Sequence, residues 1–103
     1  MPYTASTSPA WKKLASHAAE AKKFKLRELF RDSERFARMH VSWDGFLLDY
    51  SKNLVSDETM RLLVALAEEA DIAGYARRMA SGEKINWTEK RAVLHTALRR
   101  QGP

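Results

Sequence analysis

No cysteine occurs in the chain. That removes disulfide frameworks, thiolate metal sites and cysteine nucleophiles together. Histidine is scarce. His17, His40 and His95 stand without ligand-type spacing, so no His-rich metal site is expected. The four glycines, Gly45, Gly74, Gly82 and Gly102, form no phosphate-cradling loop. Long apolar runs are missing too: Leu62 to Ala67 is far too short to span a bilayer. Met1-Pro2-Tyr3-Thr4-Ala5 opens no basic-then-apolar leader, so no secretory signal and a cytoplasmic location are expected.

What is present is a chain of 103 residues, room for one domain at most. Apolar residues make up 45%, which excludes compositional disorder. The net charge of +5 is uneven. Nine Lys/Arg face four acids between Lys12 and Arg38, and the two signs balance from Met39 onward. A basic stripe is the footprint of an anionic partner. Phe24, Phe30 and Phe36 recur every six residues, however, which places each 120° off register on a helix and makes no shared stacking platform. A solvated helical face is the plainer reading.

Residues 1–7 are polar and expected to be mobile. Ser8-Pro9 reads as N-cap and first helical position of a helix to about Lys23, with Trp11, Leu14, Ala15 and Ala18 as its apolar face. A second helix is expected from about Lys25 to Phe36, carrying Leu26, Leu29 and Phe30. Next comes a hairpin over about residues 39–50. Asp44-Gly45 suits a type I′ turn, and that loop pairs Trp43 with Phe46, Val41 with Leu48, Met39 with Tyr50 and His40 with Asp49. Ser56 caps a third helix with Asp57 and Glu58 in its first turn and Met60, Leu63, Val64 and Ala67 as its buried stripe. Gly74 is expected to interrupt or close a turn. A short helix, Ile72 to about Ala80, stops at Ser81-Gly82. A last helix, capped by Asn86 or Thr88, carries Ala92, Val93, Ala97 and Leu98. The fold class is α+β, mostly helical: four or five helices and one hairpin.

Reaction machinery is sparse. His40, Asp49 and nearby Ser42 suggest a dyad, but a cross-strand polar pair explains them more simply. His95 has neither an orienting partner nor a pocket in view. Glu83-Lys84 and Lys90-Arg91 read as a solvated turn and helix end, with an anionic ligand as the sharper alternative. Trp11, Trp43 and Trp87 read as packing residues.

Two segments carry more information. One is Asp49-Tyr50-Ser51-Lys52-Asn53-Leu54-Val55, followed by a helix with an acidic start. The other runs Gly82-Glu83-Lys84-Ile85-Asn86-Trp87-Thr88-Glu89-Lys90-Arg91-Ala92-Val93-Leu94-His95 and on to Ala97-Leu98-Arg99. Together they resemble the N-terminal part of the phosphoglucose (glucose-6-phosphate) isomerase family, from about Phe36 to Arg99, with weaker likeness back to Trp11. The tight Asp44-Gly45 turn departs from members with a longer connection. The resemblance implies an α/β sugar-isomerase parent, cytoplasmic and homodimeric, that interconverts glucose 6-phosphate and fructose 6-phosphate in glycolysis and gluconeogenesis. It implies ring opening and proton transfer between C2 and C1 through a cis-enediol. A glutamate is the base, a histidine and a lysine assist ring opening, and an arginine steadies the enediolate. No metal or organic cofactor is implied. None of those residues maps onto this sequence, so no catalytic, substrate-binding or metal position is assigned, and His95 matches a family histidine without a catalytic role. The expectation is that residues 1–103 form one unit, a fragment of a longer isomerase chain, inactive alone and without membrane or nucleic-acid partners. The alternative is a small basic helical module that binds nucleic acid or protein.

Overall fold

The computed structural model describes residues 3–86, 89–94, 97 and 99. Helix α1 spans Pro9–Ala21. Ser8 caps it as expected, its side chain accepting from the Trp11 N–H, with proline at the first helical position. Ahead of it, within the stretch expected to be mobile, Ala5–Thr7 form a 3-10 turn. Helix α4, Asp57–Glu69, starts from a capping box in which Ser56 Oγ accepts from the Thr59 N–H and Thr59 Oγ1 from the Ser56 N–H. The two helices pack antiparallel. His17 meets Thr59 at one end, and at the other Glu69 Oε2 accepts the Ala10 N–H at 3.1 Å. A carboxylate at the positive end of α1 is electrostatically favourable.

The seam uses faces that periodicity did not indicate. On α1 it is Ala10, Leu14, His17 and Ala21 that turn inward, while Trp11, Ala15 and Ala18 are exposed. On α4 it is Thr59, Leu62 and Leu66, while Leu63, Val64 and Ala67 are exposed. The reason is polar: the Glu69 and Thr59 hydrogen bonds fix the helix rotation, and α4 is apolar on two sides.

The helix expected over 25–36 divides into α2, Leu26–Leu29, and α3, Arg35–Arg38. Asp32 breaks it. Its Oδ1 accepts the Glu34 N–H and its carbonyl the Arg35 N–H, so this short polar side chain starts a new turn instead of continuing the old one.

Strands β1, His40–Trp43, and β2, Phe46–Asp49, form the expected hairpin in the expected register. Asp44 and Gly45 both have positive φ, 47° and 81°, as a type I′ turn requires. The Tyr50 N–H donates to the Met39 carbonyl, adding a further pair. Met39 is 2% exposed, but Trp43 and Phe46 at the tip are 72% exposed.

Helix α5, Ile72–Ser81, ends at Gly82 in the left-handed region. Gly74 lies inside this helix and is buried, which corrects the expected break. Asp71 caps α5 by accepting the Gly74 N–H. The last expected helix is not α-helical over the described residues, where only Ala97 and Arg99 take 3-10 conformation. The Asn86 and Arg91 backbones bond to each other, Lys90 adopts φ 56°, and residues 92–94 carry no helical turn. A turn closed on both sides with a left-handed residue inside it is incompatible with a helix running through. Thr88, His95 and Leu98 lie outside the described residues.

The fold is thus five α-helices and one hairpin among the described residues, mostly helical α+β. Its radius of gyration is 17.8 Å, against about 13 Å for a compact chain of this length.

Candidate functional site

The most tightly built region surrounds Arg35, which is 3% exposed. Its Nε donates to the Ser51 carbonyl at 2.8 Å and its Nη2 to the Asn53 carbonyl at 2.9 Å. Its guanidinium lies 5.5 Å from the Phe30 ring centroid. The 49–53 segment is folded around these contacts. Asp49 Oδ1 accepts from both the Ser51 N–H and Oγ–H, and Oδ2 from Lys52 Nζ. The Ser51 hydroxyl first, then Lys52 and the Ser51 N–H, hold the Asp49 carboxyl well below the usual carboxylate range. The polar groups of this segment therefore fasten a turn and do not converge on an open site.

Arg38 ties the same region to α4, pairing with Asp32 and Asp57. The hydrogen bond from Arg38 is the main reason the Asp32 carboxyl is lowered, and the Asp32 and Asp57 carboxylates raise the Arg38 guanidinium in turn.

His40 and Asp49 are register partners, yet they make no dyad. His40 Nδ1 lies 2.6 Å from the Phe36 carbonyl and its ring stacks on Phe36 at 4.4 Å. Phe24 contacts His17 edge-on, and Phe30 underlies Arg35. Each phenylalanine of the basic third thus has its own local partner. Glu83 and Arg91, flagged for an anionic ligand, form ion pairs with Arg78 and Glu89.

Sequence spacing missed a second cluster because it joins residues far apart in the chain. His17 Nε2 lies 2.6 Å from Thr59 Oγ1, and Glu20 and Glu58 stand beside the imidazole. The third feature is apolar. An open groove of about 450 Å³ runs between the hairpin and α4, lined by Val41, Leu48, Tyr50, Val55, Met60 and Leu63. The stripe expected to be buried on α4 faces this groove in part. No described helix is long and apolar enough to cross a membrane.

None of these arrangements is a catalytic constellation: among the described residues no general base stands over a polar pocket with an oxyanion donor. Comparison with known proteins places the chain in a family. The family model for phosphoglucose isomerase matches residues 49–103, starting at the carboxylate that organises the 49–53 turn. The glucose-6-phosphate isomerase of Dechloromonas aromatica is 55% identical over 93 residues, 89% of this chain and 18% of that protein. That of Chlorobium luteolum is 50% identical over 97 residues, 93% of this chain and 18% of that protein. That of Gloeobacter violaceus is 54% identical over 91 residues, 87% of this chain and 17% of that protein. The chain spans less than a fifth of the length of the curated relatives it matches.

Proposed function

Since the chain belongs to the phosphoglucose isomerase family, we propose that residues 1–103 are the N-terminal unit of a longer, cytoplasmic, homodimeric glucose-6-phosphate isomerase. In that protein this unit is scaffold. The observation that carries the reading is the lopsided coverage: about half of the residues are identical over some nine-tenths of this chain, but under a fifth of each relative is matched. Moving a proton between C2 and C1 of a sugar phosphate needs a positioned base and donors for the developing enediolate. Those groups come from the remainder of the isomerase. What this segment supplies is a framework pinned by Arg35 and Arg38 and an apolar groove for that remainder to cover. The nucleic-acid alternative loses support from the separate engagement of Phe24, Phe30 and Phe36.

The test is a chimera. The corresponding stretch of the Dechloromonas aromatica isomerase is replaced by this chain, and conversion of fructose 6-phosphate is followed by a coupled dehydrogenase assay. The chimera is expected to keep most of its parent's turnover, and this chain alone to show none. A soluble chimera of the parent's oligomeric size but without turnover overturns the reading, as does turnover by the chain alone.

A further inference from the structure

Where α1 meets the first turn of α4, three side chains converge that the proposed reaction does not use. His17 is buried, at 7% exposure. Glu20 and Glu58 are exposed at its rim. One nitrogen or oxygen from each lies within 4.8 Å of the others. They border a cavity of about 300 Å³, which Lys13, Ser16 and Leu62 also line. We infer that this cluster binds one divalent transition cation such as zinc, through His17 Nδ1 and the carboxylates of Glu20 and Glu58, and so staples α1 to α4.

The imidazole is already oriented as a ligand. Its Nε2 lies 2.6 Å from Thr59 Oγ1, and the capping box fixes that hydroxyl by a bond from the Ser56 N–H. A metal-bound histidine typically uses one ring nitrogen for the ion and gives the other N–H to an orienting acceptor. In the tautomer that a metal ligand requires, Nε2–H donates to Thr59 and the Nδ1 lone pair faces the Glu20 carboxylate at 3.7 Å, beyond hydrogen-bonding distance. Two electron-pair donors then oppose each other across a gap, and a cation between them satisfies both. One imidazole and two carboxylates suit zinc, with a water as fourth ligand. His17 and Glu20 are i, i+3 on one face of α1, so their shared direction is intrinsic to the helix. Zinc–ligand bonds of about 2.0–2.1 Å place tetrahedral ligands roughly 3.3 Å apart, so the glutamates must close in. Being exposed, they can do so by rotamer changes that leave the α1–α4 seam intact. The Lys13 ammonium shares the rim and opposes the ion.

The test uses the native protein that contains this chain, stripped with chelator. Zinc is titrated by calorimetry and cobalt by its visible absorption. The expected result is saturable binding of an ion, with a cobalt spectrum of nitrogen and oxygen ligation. E20Q and E58Q are each expected to weaken binding by at least about tenfold, and K13Q to tighten it. Both glutamates are exposed, so these variants fold. Absence of saturable binding overturns the inference. So does binding that E20Q and E58Q leave unchanged, since the ion then sits elsewhere. Isomerase turnover is not the readout, so this site and the isomerase reading fail or stand separately.

Discussion

Replacing Arg35 tests whether a buried cation, and not an apolar core, holds the 49–53 segment. Its two bonds are unequal in consequence. Among the described residues the Ser51 carbonyl has no other donor, whereas the Asn53 carbonyl also accepts the Val55 N–H at 2.8 Å. Arg35→Met keeps the aliphatic stem, and so most of the packing on Phe30, but orphans the buried Ser51 carbonyl at about 1–3 kcal/mol. It also removes a charge-assisted bond to Asn53 worth about 1.5 kcal/mol. Relief from burying a guanidinium offsets part of this. It does not cancel it, because the acceptors remain and only the donor is removed. The net expected loss is about 2–4 kcal/mol, a large share of the ~5–15 kcal/mol typical of a folded protein. Arg35→Lys restores a cation that reaches one carbonyl at a time, so it is expected to cost about half as much. Urea unfolding followed by far-UV circular dichroism gives both values. Arg35→Met within ~0.5 kcal/mol of the parent refutes the reasoning. Arg35→Lys as costly as Arg35→Met refutes the premise that the charge matters.

Three further outcomes are expected. The depressed Asp49 carboxyl contributes stability that is complete above its unfolded value near about 4 and is lost as pH falls toward its folded value. Asp49→Asn should therefore flatten the decline of the unfolding midpoint below about pH 4, and an acid limb as steep as the parent's counts against the assignment. Trp43→Ser with Phe46→Ser removes two tip side chains, each 72% exposed, and should reduce self-association of the isolated chain in light scattering, at a cost of about 1 kcal/mol from the lost cross-strand ring pair. An apolar tip this exposed is taken to drive association of the isolated chain, and association that the double variant leaves unchanged refutes that premise. Gly74→Ala ordinarily gains about 1 kcal/mol in a helix, but here the new Cβ would run into the Asp71 carboxylate and displace the cap. The two effects should cancel in thermal unfolding, and a full gain would mean that the Asp71 cap contributes nothing.

Legibility in the sequence followed the range of the interactions. The hairpin register, the Ser8 and Ser56 caps and the Gly82 stop are set within a few residues of one another, and all of them could be read. Gly74 could not, because Asp71 in a left-handed conformation starts the helix before it and makes the glycine a first-turn residue. The split at Asp32 hinges on side-chain bonds that helical periodicity does not encode. The inward faces of α1 and α4 were misplaced because polar contacts across 42 and 59 residues, His17 with Thr59 and Ala10 with Glu69, fix the rotation of each helix. The His17 cluster was invisible for the same reason: Glu58 joins it only through the packing of α4 on α1. No periodicity argument reaches that distance.

That α4 is apolar on two sides also explains why so much surface stays open. Packing on α1 covers one side, and the opposite side then faces the hairpin groove. The described fold extends 16 Å along its thinnest axis, little more than one helix diameter of about 10–12 Å. A slab that thin has no further layer with which to cover a two-faced helix and an apolar ribbon. The accessible surface of 8570 Å² exceeds the roughly 5,900 Å² expected of a folded monomer of this mass. The excess, about 2,700 Å², is larger than the ~1,600 Å² of a standard interface and lies in the range of permanent ones. A covering layer of that size is what the longer isomerase proposed above would supply, and more than a transient partner does. It accounts for a segment whose internal order rests on hydrogen bonds at Arg35, Thr59 and Glu69, while Trp43, Phe46 and Leu48 stay exposed.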